Sequence, residues 1–105
     1  MKQFEEDKKY LKTDITILNL AKDLETNTRY LSKIINHYKE KNFSNYLNDL
    51  RISYAVDKLT NDVQFRKYTI QAIGNEVGFN NAESFAKAFY KNTGIKSSYF
   101  IKNIP

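Results

Sequence analysis

Apolar residues recur at helical spacing in short runs, each separated from the next by a polar turn. Ile17, Leu20, Ala21 and Leu24 form one stripe, and Thr16 stands just ahead of it where an N-cap belongs. Glu25, Thr26 and Asn27 make a turn. Asn27 can cap the next helix, which carries Tyr30, Leu31, Ile34, Ile35 and Tyr38 on its apolar side. Asn42, Phe43 and Ser44 offer another turn and cap. From Asn45 to about Leu59 a longer helix follows, with Tyr46, Leu47, Leu50, Ile52, Tyr54, Ala55, Val56 and Leu59 giving a stripe wide enough for two partners. Residues 60–67 read as a polar loop and Thr69 as a cap. Ile70, Ile73 and Val77 then repeat the helical spacing until Gly78 breaks it. Phe79, Asn80, Asn81 and Ala82 lead into a helix marked by Phe85 and Phe89, which Asn92, Thr93 and Gly94 stop. Ser97 is placed to cap a last helical turn or two with Tyr99, Phe100 and Ile101, and residues 103–105 are expected to fray. At the front, Gln3 to Lys12 reads as a first helix, interrupted by Thr13 and Asp14.

Two of these helix pairs match. Ile17, Leu20, Ala21 and Leu24 align with Ile70, Ile73, Gly74 and Val77 at an offset of 53 residues. Leu31, Ser32, Lys33 and Ile35 align with Phe85, Ala86, Lys87 and Phe89 at an offset of 54. The one-residue change falls in the turn, where chains tolerate insertion. A short helix, a tight turn and a second helix form a helix-turn-helix unit. The pattern therefore predicts an all-α domain over residues 1–105, with about seven helices. Two helix-turn-helix subdomains, near residues 4–41 and 68–101, would be joined by a central linker helix near residues 44–59.

Composition narrows the function. Seventeen Lys and Arg against twelve Asp and Glu leave a net charge of +5, which suits nucleic acid or another anionic surface. The absence of cysteine excludes disulfides and thiolate metal sites. No apolar run is long enough to span a membrane, and the charged start MKQFEEDKKY is no signal peptide, so a cytoplasmic chain without membrane contact is expected. His37 is the only histidine, and a helix-end histidine explains it better than a metal ligand. Glu5, Glu6 and Asp7 suit a charged helix face better than a catalytic pair. No glycine-rich phosphate loop or nucleophile elbow occurs. No catalytic residue, cofactor or metal is called for, and the chain does not read as an enzyme.

The second unit runs Ile73-Gly74-Asn75-Glu76-Val77-Gly78-Phe79, then Phe85-Ala86-Lys87-Ala88-Phe89 and a later Gly94. Tyr30-Leu31-Ser32-Lys33 stands in the first unit, and Phe43-Ser44-x-Tyr46-Leu47-x-x-Leu50-Arg51-Ile52-x-x-Ala55 between the two. In these stretches the chain resembles the DNA-binding domain of the AraC/XylS family of bacterial transcription regulators, from about Phe4 to Ile101. It departs from the family pattern at five positions. Glu25 stands where the first turn usually has glycine, which predicts a strained or reshaped turn. Gly74 replaces alanine, at a helix-propensity cost of about 1 kcal/mol. Ser97 replaces a proline, and Lys33 and Lys87 replace arginines, which lose the planar fork that reads guanine.

The resemblance implies double-stranded DNA as partner and a sensor or dimerisation domain elsewhere in a longer parent chain. In a helix-turn-helix the second helix enters the major groove. The outward residues of the two second helices are then the base-contact candidates. They are Thr28, Arg29, Ser32, Lys33 and Asn36 in the first unit, and Asn81, Ala82, Glu83, Ala86 and Lys87 in the second. Phosphate contacts are expected from Lys39, Lys41, Ser44, Tyr90 and Lys91, with the helix starts near Ser44 and Asn81. Tyr30, Tyr46, Phe79, Phe85 and Phe89 are assigned to cores. The first unit, richer in donors, is expected to supply more of the base readout. The competing reading is a helical protein-interaction module that keeps the fold without specific DNA binding.

Overall fold

Five polar side chains start five helices. Thr16 Oγ1 accepts from the Asn19 amide at 3.1 Å and Thr69 Oγ1 from that of Ala72 at 3.1 Å. Asn27, Asn42 and Asn81 accept through Oδ1 from Tyr30, Asn45 and Ser84, each at 2.8 Å. Each bond satisfies an amide that would otherwise lack a partner in the first helical turn. The computed structural model describes residues 2–104. Among them are seven α-helices and no strand: α1 Lys2–Glu6, α2 Ile17–Asp23, α3 Thr28–Lys39, α4 Phe43–Asn61, α5 Ile70–Glu76, α6 Ala82–Thr93 and α7 Ser97–Asn103. Two 3₁₀ turns, Lys9–Leu11 and Phe65–Lys67, complete the path.

The repeat seen in the sequence is repeated in the geometry. Helices α2 and α5 have seven residues each, α3 and α6 twelve each, and the caps Thr16/Thr69 and Asn27/Asn81 keep the same offsets. Both turns close alike. The Thr26 amide donates to Ala21 O at 2.9 Å, and that of Phe79 to Gly74 O at 2.8 Å. Glu25 and Gly78 sit at matched positions in the left-handed region, with φ of 57° and 101°. The first turn thus keeps the shape of the second and accepts backbone strain at Glu25. The C-caps of α3 and α6, Glu40 and Gly94, are also both left-handed.

Helix α4 is shared by two cores. Its first half gives Tyr46 and Leu47 to a cluster with Phe4, Tyr10, Leu20, Ala21, Leu31 and Ile35. Its second half gives Ile52, Ala55 and Leu59 to a cluster with Phe65, Ile73, Val77, Phe79, Phe85, Ala88 and Phe89. Leu11 and Tyr54 pack against both clusters. In the second core, edge-on and tilted ring contacts run from Phe79 through Phe85 and Phe89 to Phe100, with centroids 5.4–5.7 Å apart. Gly74 belongs to this packing, since a Cβ there would lie 3.0 Å from Phe85 Cβ. Ala21, at the matched position, is buried in the first core with Leu31, the counterpart of Phe85.

The structure corrects several expectations. The first helix does not run from Gln3 to Lys12: α1 ends at Glu6 and Lys8, at φ 55°, swings the chain into a 3₁₀ turn. The swing lets Phe4 and Tyr10 enter one core, which a straight helix would not. Helix α4 begins at Phe43 with Asn42 as its cap, and runs on to Asn61. The loop that follows is not wholly polar, because its 3₁₀ turn buries Phe65. Ser97 is not a cap: Lys96 holds that position without a side-chain bond, and Ser97 is buried in the first turn of α7. Tyr30 lies 58% exposed, outside the core, and Leu24 is also exposed. Asn103 ends α7 as helix, while Pro105 lies outside the described residues.

Candidate nucleic-acid interface

Helix α3 buries Leu31 and Ile35 against α2 and α4. That fixes its opposite side outward, where Arg29, Lys33 and Asn36 are exposed and Thr28 and Ser32 half-buried. Helix α6 buries Phe85, Ala88 and Phe89 and turns Asn81, Glu83 and Lys87 to solvent, with Ala82 and Ala86 half-buried. The structure therefore gathers the ten base-contact candidates into two sets, one on each long helix. Gln71 ties the second set to its brace: its Oε1 accepts from the Ala82 amide at 3.2 Å, linking α5 to the start of α6. The sequence pattern offered no sign of that role.

The two faces differ electrostatically. Arg29 and Lys33 have no ion-pair partner among the described residues, whereas Lys87 pairs with Glu83 at 3.2 Å, both groups largely exposed. Such an exposed pair is worth little and can exchange for a better partner. The phosphate-contact candidates separate as well. Lys39 pairs with Glu5 at 3.4 Å and lies over the Tyr46 ring, and Lys41 pairs with Asp49. Ser44 is exposed in the first turn of α4 and Tyr90 on α6. Lys91 Nζ donates to Asn45 Oδ1 at 3.1 Å, bridging α6 to the start of α4.

Arg51 is the residue whose part in this architecture the sequence reading missed. Leu47, Arg51 and Ala55 follow at i, i+4 and i+8 on α4 and all are buried, so a charge sits on a buried face. That mismatch was the available signal. Its Nε donates to Tyr10 O at 2.6 Å and its Nη2 to Lys12 O at 2.7 Å. The guanidinium stacks over Phe79 at 5.6 Å. A Cβ on Gly78 would come within 2.5 Å of Nε, so glycine is required there for space as well as for its φ. Arg51 thus fastens the segment before α2 and the turn of the second unit to one point on α4.

Phe79, Phe85, Phe89 and Tyr46 are buried as expected. His37 is exposed, with its ring 4.7 Å from that of Tyr38. No group of His, Cys, Asp and Glu that would hold a metal occurs among the described residues, and no helix there is long and apolar enough to cross a membrane.

Comparison with known proteins matches this geometry. A family model described as a helix-turn-helix domain matches residues 20–103. The chain is 28% identical over 92 residues to the raffinose operon transcriptional regulatory protein RafR of Pediococcus pentosaceus. The match covers 88% of this chain, which spans about a third (32%) of that protein's length. The C-terminal domain of the two-component response regulator YesN of Fusobacterium nucleatum superimposes with a TM-score of 0.81 at 22% identity, over 95% of this chain and 92% of that one. The C-terminal domain of AraT, a response regulator of Geobacillus stearothermophilus, gives 0.80 at 21% identity, over 96% and 82%. At those identities the two structures speak to the fold.

Proposed function

The chain belongs to the AraC-type family of helix-turn-helix domains, the DNA-binding part of transcription regulators, and from that premise we propose that it reads duplex DNA sequence with two recognition helices, α3 and α6. The observation that carries this reading is the doubled unit: the same caps, helix lengths and left-handed turns, each presenting a polar helix face to solvent. The molecule measures 43 × 22 × 22 Å. Its long dimension accommodates two helices in major-groove segments about 34 Å apart on one side of the duplex.

In the first unit Arg29 and Lys33 would donate to guanine O6 and N7, and Asn36 would pair with adenine. In the second, Lys87 would leave Glu83 for a base or phosphate, while Glu83 would accept from cytosine N4. Ala82 and Ala86 would meet thymine methyl groups. Arg29 and Lys33 are unpaired and Lys87 is not, so the first unit would carry more of the discrimination. Ser44, Tyr90 and Lys91 would anchor phosphates, and Lys39 and Lys41 would do so only by releasing their acids. The two units, residues 4–41 and 68–101, would act as separate readers on a shared helix. The charged faces of α3 and α6 disfavour the interaction-module reading, which needs apolar patches there. Such a domain would be the output part of a longer regulator, in keeping with its one-third share of RafR.

Affinity for duplex DNA measured across a salt series tests the reading. Binding should weaken steeply with salt, because phosphate neutralisation releases counterions. Lys91→Ala should lower affinity for all sequences alike and reduce the salt slope by about 1. Absence of binding at low salt would refute it.

A further inference from the structure

Among the described residues, one buried cation has no carboxylate partner. Arg51 is 6% exposed, and its two hydrogen bonds go to neutral carbonyls. Burying a guanidinium is costly unless an anion compensates it. Burial pushes its pKa down to about 10, so it remains protonated at neutral pH. The third nitrogen, Nη1, has no acceptor among the described residues. No buried side-chain nitrogen or oxygen among the described residues lacks a partner, so Nη1 is reached by solvent. Arg51 lines a crevice of about 440 Å³ between α4 and α6.

Lys87 and Lys91 line the same crevice, with Asn48, Asn81 and Ser84 as hydrogen-bonding neighbours and no aspartate or glutamate. Lys91 Nζ is held by Asn45 at the start of α4, and the Glu83 pair of Lys87 is exposed. The crevice lined by Glu5, Lys39, Lys41 and Asp49 is different, since each of its lysines pairs with an acid. Two cations without an acid, Arg51 buried and fixed, beside a third whose only acid is an exposed glutamate, describe a site short of one anion.

We propose that the crevice between α4 and α6 is a seat for a single phosphate group, held by Arg51 Nη1 and Lys91 and flanked by Lys87, Asn48 and Ser84. A guanidinium and an ammonium converging on one tetrahedral anion give short charge-assisted bonds. Thr13 and Asn48 wall it on one side and residues 78–91 on the other, so it lies between the two helix-turn-helix units. On the reading of duplex binding given above, on which the DNA source of this phosphate rests, the group is a backbone phosphodiester between the two contacted boxes. A free phosphate or phosphorylated small molecule presents the same chemistry.

Two measurements on the whole chain decide it. In the first, inorganic phosphate is titrated at constant ionic strength and followed through backbone amide shifts. Saturable shifts at Asn48, Gly78, Ser84 and Lys91 are expected, weakened about tenfold by Asn48→Asp, which places a like charge in the seat without changing side-chain size. Unchanged thermal melting of that variant shows that the fold is kept. In the second, neutral methylphosphonates replace single backbone positions between the boxes of a bound duplex. One position should lose about tenfold in affinity, and Lys91→Met should abolish most of that position's effect. Both effects together support the seat and identify DNA as the source. Phosphate shifts alone support the seat with a free anion as occupant. Neither saturable shifts nor a position-specific loss overturns it, whether or not the duplex binds. Failure to bind any duplex would count against the functional reading, while the phosphate titration still decides the crevice.

Discussion

Glu25 and Gly78 hold the chain in the same left-handed turn at different cost. An L-residue in that region costs about 1–2 kcal/mol, and glycine avoids it. Glu25→Gly should therefore raise stability by about 1 kcal/mol, read from the urea midpoint with an unchanged slope. A drop in stability would show that the Glu25 side chain makes a compensating contact. The reverse experiment is harsher. In Gly78→Ala the φ of 101° stays strained and the new Cβ meets Arg51 Nε and Tyr10 O. A loss above about 2 kcal/mol is expected in the same assay, because strain and overpacking add. The cost at Gly78 is invisible in sequence, where the residue reads only as a helix stop. The charge at position 51 does leave a trace, as an arginine at buried helical spacing, but the carbonyls it binds are 41 and 39 residues away.

At the scale of elements, α4 joins α1 through Tyr46, whose hydroxyl donates to Glu5. Burial first, and then the Glu5 carboxylate, hold the Tyr46 phenol well above its ordinary value of 10.0. Tyr10, packed nearby, is raised too, again chiefly by burial. Folding therefore favours the protonated phenols. Their contribution is complete below pH 10 and is lost as pH rises from there through the raised folded values. Melting temperature should fall as pH climbs above about 10, and less steeply in Tyr46→Phe, which cannot ionise. Arg51, whose pKa is lowered, contributes with the opposite sign over the same alkaline range, and comparing the two proteins cancels it. Equal slopes would contradict the assignment to Tyr46. The helices flanking each turn were legible because their caps and stripes are local signals. The break at Lys8 was not, since nothing in a lysine announces a left-handed residue. Phe65 was missed because a single 3₁₀ turn has no period to detect. Tyr30 has core spacing, yet Leu31 and Ile35 already fill the contact of α3 with its neighbours, and its ring is left outside. Position on a face was legible for Arg29, Lys33 and Lys87, whereas the pairing of Lys87 with Glu83 depends on side-chain placement that only the structure supplies.

At the scale of the whole molecule, one helix shared by two cores makes a rod with two matched helix-turn-helix units, the proposed readers. The Arg51 clasp ties the second turn to residues 10–12 of the first unit, which limits how far the two units can swing apart. A duplex whose groove spacing differs from theirs must bend, at a cost of a few kcal/mol. The two outward faces carry different residues, so on the proposed reading a single chain would address two unlike boxes, which a symmetric dimer of one reader would not. Selection from a random duplex library with this chain, at roughly 150 mM salt, tests that claim most directly. The expected result is an asymmetric motif of two boxes centred about one helical turn apart, with Arg29→Ala erasing more discrimination than Lys87→Ala. Salt-sensitive binding without any enriched motif, or a single box insensitive to both substitutions, would contradict it.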